Sequence, residues 1–253
     1  MSQDALLEVR DLTLRFGGIT ALAGVSLRIT EGETLAVIGP NGSGKTSLFN
    51  CVTGLYHPTS GAITLRGESL IGLSPDRVTA RGVARTFQNL RLFFNMTVLD
   101  NLMLGRHLHF KRSLWAAALR RRGEEIRHRE RCEEIIEFLD LEAWRDARVG
   151  SCAYGVQKRV EIGRALATEP KLLLLDEPVS GLTSEEKDEV SYWIHEARGR
   201  FKVTVLLVEH DLRVASRLAS RMVVMDRGEK LTEGAPEEVQ KHPGVIRAYL
   251  GDQ

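Results

Sequence analysis

The sequence predicts an α/β fold built on a parallel sheet, and three observations support this prediction. In the last third of the chain, the apolar runs 171–175, 203–208 and 222–225 alternate with segments of helical character. Such alternation is typical of parallel strands joined by helical crossovers. Earlier, a glycine-rich loop lies between a short apolar run and a segment that can continue as a helix. In the first third, alternating apolar and polar residues between turn residues indicate a small, largely antiparallel sheet.

Composition restricts the class of protein. Of the 253 residues, 43% are hydrophobic and 27% charged, the balance of a folded globular protein rather than a disordered or fibrous one. The formal net charge of +1 gives no electrostatic reason to expect nucleic acid as a partner. The longest apolar runs are far shorter than the roughly 20 residues of a membrane-spanning helix. We therefore expect a single α/β domain, residues 1–253, without a membrane span.

The glycine-rich loop has the spacing G-x-x-x-x-G-K-[ST], with the apolar run 34–38 before it and the helix-compatible segment 47–52 after it. Glycines let the backbone turn and present N–H groups to an anion, and the helix start adds its own free N–H groups. Lys45 would then reach the β- and γ-phosphates, and the Thr46 hydroxyl would ligate magnesium. A plain connecting turn is the alternative, but both flanks match the motif, so we predict a nucleoside triphosphate site. The loop consists of Gly39, Pro40, Asn41, Gly42, Ser43, Gly44, Lys45 and Thr46.

Two carboxylates follow the leucine run 172–175 directly, namely Asp176 and Glu177. Ligands of parallel sheets bind at the carboxyl ends of the strands. We predict that Asp176 holds a magnesium ion opposite Thr46 and that Glu177 accepts a proton from an attacking water. In isolation such an acidic pair is more often a turn or a helix cap. The preceding buried-strand pattern and the phosphate loop favour the catalytic interpretation.

Three further residues are candidates for the nucleotide site because of their position in the sequence alone. His210 follows the strand 203–208 and is expected to contact the γ-phosphate, although a lone histidine is more often structural. Gln88 lies where the core meets a helical region, and a glutamine can bind a metal-associated water and move with its backbone. Phe16 precedes the strand of the phosphate loop and can stack on an adenine ring, whereas a core phenylalanine is the commoner explanation.

The region from about residue 87 to residue 159 is predicted to be helical. Thr97 is a capping-type residue at the start of a segment with apolar residues at helical spacing. The stretch 106–131 that follows is strongly basic. A solvated helical face is the simpler interpretation of this stretch. The more specific interpretation is a surface that lies close to anionic lipids or to a membrane-embedded partner.

With these motifs in this order, nearly the whole chain resembles the ATP-binding subunit of an ATP-binding-cassette (ABC) transporter. Residues 39–46 match the Walker A motif, and residues 172–177 match Walker B with its catalytic glutamate. Gln88 matches the Q-loop, His210 the switch histidine and Phe16 the aromatic that stacks on adenine.

The resemblance implies a P-loop NTPase (RecA-like) core with an N-terminal antiparallel β subdomain. It also implies a helical subdomain insert at approximately 87–159, and ATP and Mg²⁺ as ligands, with Thr46, Gln88 and Asp176 around the metal. The segment Cys152 to Gln157 corresponds to the signature motif L-S-G-G-Q, so Ala153, Tyr154 and Gly155 are expected to contact ATP.

Two motifs, the signature and the D-loop, depart from the family pattern, and these departures affect that expectation. Ala153 replaces the signature serine, with Val156 where glutamine is usual, and Thr183 replaces the aspartate of the D-loop 180–183. A lost hydrogen bond to a charged group costs on the order of 1.5–3 kcal/mol. We therefore expect this chain's own phosphate loop, Glu177 and His210 to be competent, and the site to which it lends its signature to be the weaker one.

The resemblance also implies partners. Two such subunits pair head to tail, as a homodimer or a heterodimer, and act on transmembrane permease subunits at the cytoplasmic face of the membrane. A periplasmic or extracellular solute-binding protein takes part indirectly, and no nucleic acid is involved. The chain is most similar to the ATPase subunits of importers of branched-chain amino acids in residues 85–93, in the tyrosine of the signature and in the ending 245–251. A regulatory subunit with weak hydrolysis and a soluble, non-transport ABC ATPase remain as alternatives.

Overall fold

The computed structural model describes residues 5–109 and 122–250. Its strands are β1 (Ala5–Phe16), β2 (Ile19–Thr30), β3 (Thr34–Ile38), β4 (Ser60–Leu65), β5 (Glu68–Ser69), β6 (Val83–Arg85), β7 (Leu172–Asp176), β8 (Thr204–Glu209), β9 (Arg221–Asp226) and β10 (Glu229–Gly234). Its helices are α1 (Lys45–Val52), α2 (Pro75–Ala80), α3 (Val98–Gly105), α4 (Arg122–Phe138), α5 (Tyr154–Ala167), α6 (Ser184–Phe201), α7 (Leu212–Leu218), α8 (Pro236–Lys241) and α9 (Pro243–Leu250).

The predicted antiparallel sheet is present at the N-terminus, with strand order β2-β1-β4-β5. The structure has one continuous β1 with a register shift between Val9 and Leu12. Asp11 lies in this irregularity with φ 46°, a conformation that aspartate tolerates better than most residues. A bulge, rather than a turn, therefore interrupts the alternation.

The second sheet has the order β10-β9-β3-β8-β7-β6, in which β9, β3, β8, β7 and β6 are parallel. The parallel core agrees with the prediction from the alternating apolar runs. The short edge strand β6 was not predicted, because three residues are too few for a periodicity to be recognised.

Both faces of the parallel sheet are covered. Along β7, Leu173 and Leu175 pack against the helical side of the core, while Leu172 and Leu174 pack against the N-terminal sheet and α1. All four side chains are fully buried. Complete burial of a leucine contributes about 1.5–3 kcal/mol, which explains why these strands are apolar at every position rather than at every second one.

Helices α3, α4 and α5 lie between β6 and β7 and pack on one another. The Thr97 side chain caps α3 by accepting a hydrogen bond from the Asp100 N–H at 3.1 Å, as its position predicted. Part of the basic stretch, 110–121, lies outside the described residues. Arg106, at the start of that stretch, is not on a solvated face: it is buried, donates to the Ala167 carbonyl at 2.8 Å and pairs with Glu169 at 3.0 Å.

No helix within residues 5–109 and 122–250 is long and apolar enough to cross a membrane.

Candidate functional site

The phosphate loop connects β3 to α1 and turns on glycines that the surrounding backbone requires. A Cβ on Gly39 would lie 2.1 Å from the Met225 carbonyl oxygen. Gly44, the N-cap of α1, has φ 103° and its Cβ would lie 2.8 Å from the Ala21 carbonyl oxygen. A side chain at either position would force the loop away from β9 or β2, so the loop's shape depends on these two glycines.

Lys45 begins α1 and is buried inside the loop. Its Nζ donates to the carbonyl oxygens of Gly39 at 2.7 Å and Pro40 at 2.9 Å. Burial lowers the pKa of the Lys45 ammonium, while the nearby carboxylates of Glu177 and Asp176 raise it. A buried cation held by neutral carbonyls and facing two carboxylates is suited to receive the phosphate groups of a magnesium-bound nucleotide.

Asp176, at the end of β7, is held by an arginine that the sequence analysis did not single out. Arg85 Nη2 lies 2.7 Å from Asp176 Oδ2, and both side chains are more than nine-tenths buried. Arg85 also donates to Asn50 Oδ1 at 2.7 Å, on the helix that follows the phosphate loop. Arginine can satisfy one carboxylate oxygen while Oδ1 remains for another ligand. No sequence periodicity marks Arg85, because β6, the strand that it ends, is only three residues long.

Glu177 leaves the line of β7 through an unusual backbone conformation. Its φ is 47°, and its N–H donates to the Val208 carbonyl at 3.0 Å. Positive φ is rare for a glutamate and is found mainly where the surrounding structure requires it. Here it turns the side chain away from the strand direction and toward the loops that follow β6 and β8.

The predicted partners of Glu177 meet at its carboxylate. Gln88 Nε2 donates to Glu177 Oε2 at 3.0 Å, and His210 Nδ1 lies 3.6 Å from Glu177 Oε1. Gln88 and His210 are exposed, whereas Glu177 is half-buried. Because a glutamine amide is both donor and acceptor, Gln88 can donate to Glu177 and still present its oxygen to a metal ion or its water.

Glu209 is a second buried carboxyl group near Glu177 that the sequence analysis missed. It ends β8, is 1% exposed, and its Oε1 has no hydrogen-bond partner among the described residues. Burial, together with the Glu177 carboxylate, raises the pKa of Glu209 to about 7, against the opposing effect of the backbone N–H groups of Val179 and His210. The glutamate in front of the predicted switch histidine therefore carries a proton over part of the neutral range.

The signature residues lie at the start of α5, on a different element from the phosphate loop between β3 and α1. Ala153 is the N-cap of α5 and makes no side-chain cap hydrogen bond. A Cβ on Gly155 would lie 2.4 Å from Glu186 Oε1, and the Tyr154 ring lies against Gly181. No described hydrogen bond or ion pair joins Ala153, Tyr154 or Gly155 to residues 39–46.

Thr183, which replaces the D-loop aspartate, has a structural role. Its hydroxyl accepts from the Glu186 N–H at 3.3 Å, and the Glu186 carboxylate accepts from the Thr183 N–H at 2.9 Å. This reciprocal pair is a capping box at the start of α6. Threonine therefore fixes the helix that Gly155 packs against.

Phe16 is 47% exposed at the end of β1, so the interpretation as a core residue is wrong. Its ring meets Tyr56 edge to face, with centroids 5.2 Å apart. An exposed aromatic supported by a second ring is a suitable platform for a planar base. Tyr56 is a further residue that sequence reasoning did not identify.

The residues present fit ATP and Mg²⁺. The loop supplies Lys45 and the start of α1, which has no acidic residue in its first turn. Thr46 is exposed one residue further along the same helix. Within the described ranges, His, Cys, Asp and Glu form no group of three or more suited to a metal. Magnesium is commonly held by few protein ligands together with phosphate oxygens, which suits Thr46, Asp176 and Gln88.

Comparisons with known proteins agree with this geometry. A family model described as ABC transporter matches residues 22–180, and a model described as branched-chain amino acid ATP-binding cassette transporter matches residues 229–253. The chain is 41% identical over 250 residues to the high-affinity branched-chain amino acid transport ATP-binding protein BraF of Pseudomonas aeruginosa, with 98% of each chain covered.

Solved structures show the same relationship. The ADP conformation of MJ1267, an ATP-binding cassette of an ABC transporter, matches with TM-score 0.86 and 30% identity over 98% of this chain and 99% of that one. The dimeric, post-hydrolysis cassette MJ0796 bound to ADP and Pi matches with TM-score 0.77 and 28% identity over 91% of this chain and 98% of that one. The chain therefore belongs to the ABC transporter family, as one of its ATP-binding, ATP-hydrolysing subunits.

Proposed function

We propose that this chain is the ATPase subunit of an importer for branched-chain amino acids or similar small solutes. It works as one half of a head-to-tail ATPase pair bound to permease subunits at the cytoplasmic face of the membrane. The observation that supports the ATPase assignment best is the convergence of Gln88 and His210 on the Glu177 carboxylate, beside Lys45 and Asp176. The full-length similarity to BraF supports the substrate class.

Each residue has a defined task in this proposal. ATP supplies the phosphoanhydride bond, and Mg²⁺, when bound, would neutralise charge on its phosphate oxygens. Lys45 would donate to phosphate oxygens in place of its carbonyl partners, and Thr46, Asp176 and Gln88 would hold the metal. Glu177 orients the attacking water and accepts its proton, while His210 is placed to contact the γ-phosphate.

The separation of the signature from the phosphate loop supports a paired mechanism. Because no described hydrogen bond or ion pair joins Ala153, Tyr154 or Gly155 to their own phosphate loop, they can complete the site of a second ATPase subunit. That subunit is either another copy of this chain or a sister chain. The dimeric neighbour MJ0796 is consistent with this arrangement.

A cavity beside the Gln88 loop is the candidate binding site for a permease segment. It has a volume of about 430 Å³, and its lining includes apolar residues such as Leu55, Val78, Phe87 and Phe93. The Phe87 N–H donates to Glu161 on α5 at 3.2 Å. A segment seated here would touch both the Gln88 loop and the helix that begins at the signature.

Reconstitution tests the proposal. The chain is assembled with its permease and sister subunits in proteoliposomes, and uptake of labelled leucine is measured in the presence of solute-binding protein and ATP. We expect uptake that Glu177→Gln abolishes, with Tyr192→Phe, at an exposed tyrosine on α6, as the matched control. ATP hydrolysis by the complex that is neither stimulated by nor coupled to branched-chain amino acids would overturn the substrate assignment.

The regulatory alternative is favoured by one observation, the missing serine at Ala153. It predicts that the assembled pair binds two ATP molecules but hydrolyses only one of them. Single-turnover hydrolysis distinguishes this outcome from full activity at both sites.

A further inference from the structure

Helix α5 carries a buried pair of opposite charges that does not belong to the group meeting at Glu177. Lys158 and Glu161 are about one helical turn apart, and they are 1% and 2% exposed. Lys158 Nζ lies 3.9 Å from Glu161 Oε2, which exceeds the length of a hydrogen bond. Burying two charges is unfavourable unless further hydrogen bonds satisfy them. The other partners of this pair therefore indicate its purpose.

Both side chains bind the backbone of the Gln88 loop. Glu161 Oε1 accepts a hydrogen bond from the Phe87 N–H at 3.2 Å, and Lys158 Nζ donates to the Gln88 carbonyl oxygen at 3.4 Å. Burial raises the pKa of the Glu161 carboxyl, whereas the Lys158 ammonium and the Phe87 N–H lower it. The two backbone groups lie at opposite ends of the dipeptide 87–88. The pair therefore holds that dipeptide at both ends, one with each charge.

These contacts begin where the backbone stops bonding to the sheet. The Thr86 N–H donates to the Leu174 carbonyl of β7 at 3.0 Å. The next N–H along the chain, that of Phe87, donates to Glu161 instead. The Gln88 loop therefore leaves the sheet with its backbone held by α5 rather than by β7.

The dipeptide carries a side chain that needs a fixed base. Gln88 is exposed, and its Nε2 donates to Glu177 Oε2 at 3.0 Å. Ordering an exposed side chain costs conformational entropy, and this cost is lower when the backbone that carries the side chain is already fixed. The direction of the Gln88 amide thus depends on what holds its own peptide groups.

We propose that Lys158 and Glu161 are positioning residues for Gln88: they fix the backbone of residues 87 and 88 and thereby direct the Gln88 amide at the Glu177 carboxylate. Because α5 begins at the signature, the same pair links the position of the signature to the catalytic carboxylate. This inference rests on the proposed ATPase function. It concerns the chemical step rather than binding of ATP, because the phosphate loop lies on another element.

Replacing both charges together tests the contact without leaving either one unpaired. In Lys158→Met/Glu161→Leu, apolar side chains of similar size take the place of the pair, a change that proteins often tolerate with little loss of stability. In the nucleotide-free chain, we expect amide hydrogen exchange at Phe87 to become about ten- to a hundredfold faster, because its N–H loses a charged acceptor. Exchange in the β7 and β8 amides should stay unchanged.

Two further variants serve as controls. Lys158→Met/Glu161→Gln also removes both charges but keeps an acceptor oxygen for the Phe87 N–H, so it should recover about two- to tenfold of the lost protection. Asp188→Leu/Arg217→Met removes an ion pair whose side chains are both exposed. It should leave exchange at Phe87 at the wild-type rate.

Kinetics separate positioning from a general structural role. In the assembled ATPase pair, Lys158→Met/Glu161→Leu should lower kcat about tenfold and leave the KM for ATP unchanged, since the change affects Glu177 and not the phosphate loop. Unchanged exchange at Phe87 would overturn the proposal, because the pair would then not hold the loop. Faster exchange throughout β7 and β8, or faster exchange at Phe87 with wild-type kcat, would overturn it as well.

The exchange measurement needs no nucleotide, so it is independent of the proposed function. If the wild-type ATPase pair failed to hydrolyse ATP, the proposed function would fail. Exchange at Phe87 would still decide whether Lys158 and Glu161 hold the Gln88 loop.

Discussion

At the scale of single residues, burial determines what an ion pair contributes. Arg85–Asp176 and Arg66–Glu31 have the same N–O distance of 2.7 Å, but the first pair is more than nine-tenths buried and the second is about half-exposed. Removing one partner of a buried pair leaves a charge without compensation, whereas exposed pairs contribute little because water screens them.

We therefore expect Arg85→Met to lower the free energy of unfolding by about 3 kcal/mol. Arg66→Met, the matched control, should lower it by less than about 1 kcal/mol. Urea denaturation of both variants without nucleotide measures the difference. Equal effects of the two substitutions would show that the Arg85 pair is not a major stabilising contact.

A pH-dependent prediction follows from Glu209. Because burial, together with Glu177, raises the pKa of its carboxyl from 4.5 to about 7, the folded chain holds this proton more tightly than the unfolded chain. This contribution to stability is present below pH 4.5 and is lost as pH rises toward 7. Glu209→Gln, which stays neutral, should be the more stable protein at pH 8 by up to about 3 kcal/mol.

The difference between Glu209→Gln and wild type should shrink as pH falls and become small near the carboxyl's ordinary pKa of 4.5. Urea denaturation from pH 5 to pH 8 measures it. Glu237→Gln, which changes the same charge at an exposed position, should show no such trend. A Glu209→Gln variant that is less stable than wild type at pH 8 would contradict the assigned cause.

At the scale of elements, helix α5 joins the signature to the rest of the molecule. Its first residues are those proposed to contact the partner's ATP, and further along it Lys158 donates to the Gln88 carbonyl at 3.4 Å. Arg159 lies between the rings of Trp144 and Trp193, at 5.1 and 4.9 Å from their centroids. A displacement of the signature can therefore reach the Gln88 loop through one rigid helix.

Ala153→Ser should have two separate effects on this helix. A serine N-cap stabilises a helix by about 1 kcal/mol relative to alanine, and a hydroxyl donor to the γ-phosphate should raise turnover at the partner's site about ten- to a hundredfold. Ala153→Asp separates the effects, since it caps the helix but repels phosphate. Urea denaturation and turnover per site in the assembled pair measure them. If serine stabilises the chain without raising turnover, the account of the weakened site is wrong.

Sequence and structure agree best where the chemistry is local. The phosphate loop, Asp176, Glu177 and the Thr97 cap could be predicted because motif and context lie within a few residues. The Arg85–Asp176 pair, for example, joins residues 91 positions apart. Such pairs depend on the strand order of the sheet, which periodicity does not determine. The exposure of Phe16 depends in the same way on how β1 ends beside Tyr56.

At the scale of the whole molecule, the proposed pairing gives one chain two half-sites that belong to different ATP sites. The phosphate loop with Glu177 forms one half, and the signature at α5 forms the other, with no described hydrogen bond or ion pair between them. Association of two ATPase subunits would complete both sites at once, and this is why binding of ATP and pairing are expected to occur together.

The most direct test of this account is magnesium-dependent ATP hydrolysis and ATP binding by the purified chain, at a concentration high enough for pairing. Wild type should bind and hydrolyse ATP. Glu177→Gln should bind ATP as tightly as wild type but lose turnover, and Lys45→Ala should lose binding as well. Hydrolysis by Glu177→Gln at the wild-type rate, or unchanged ATP binding by Lys45→Ala, would contradict the assignment of the site.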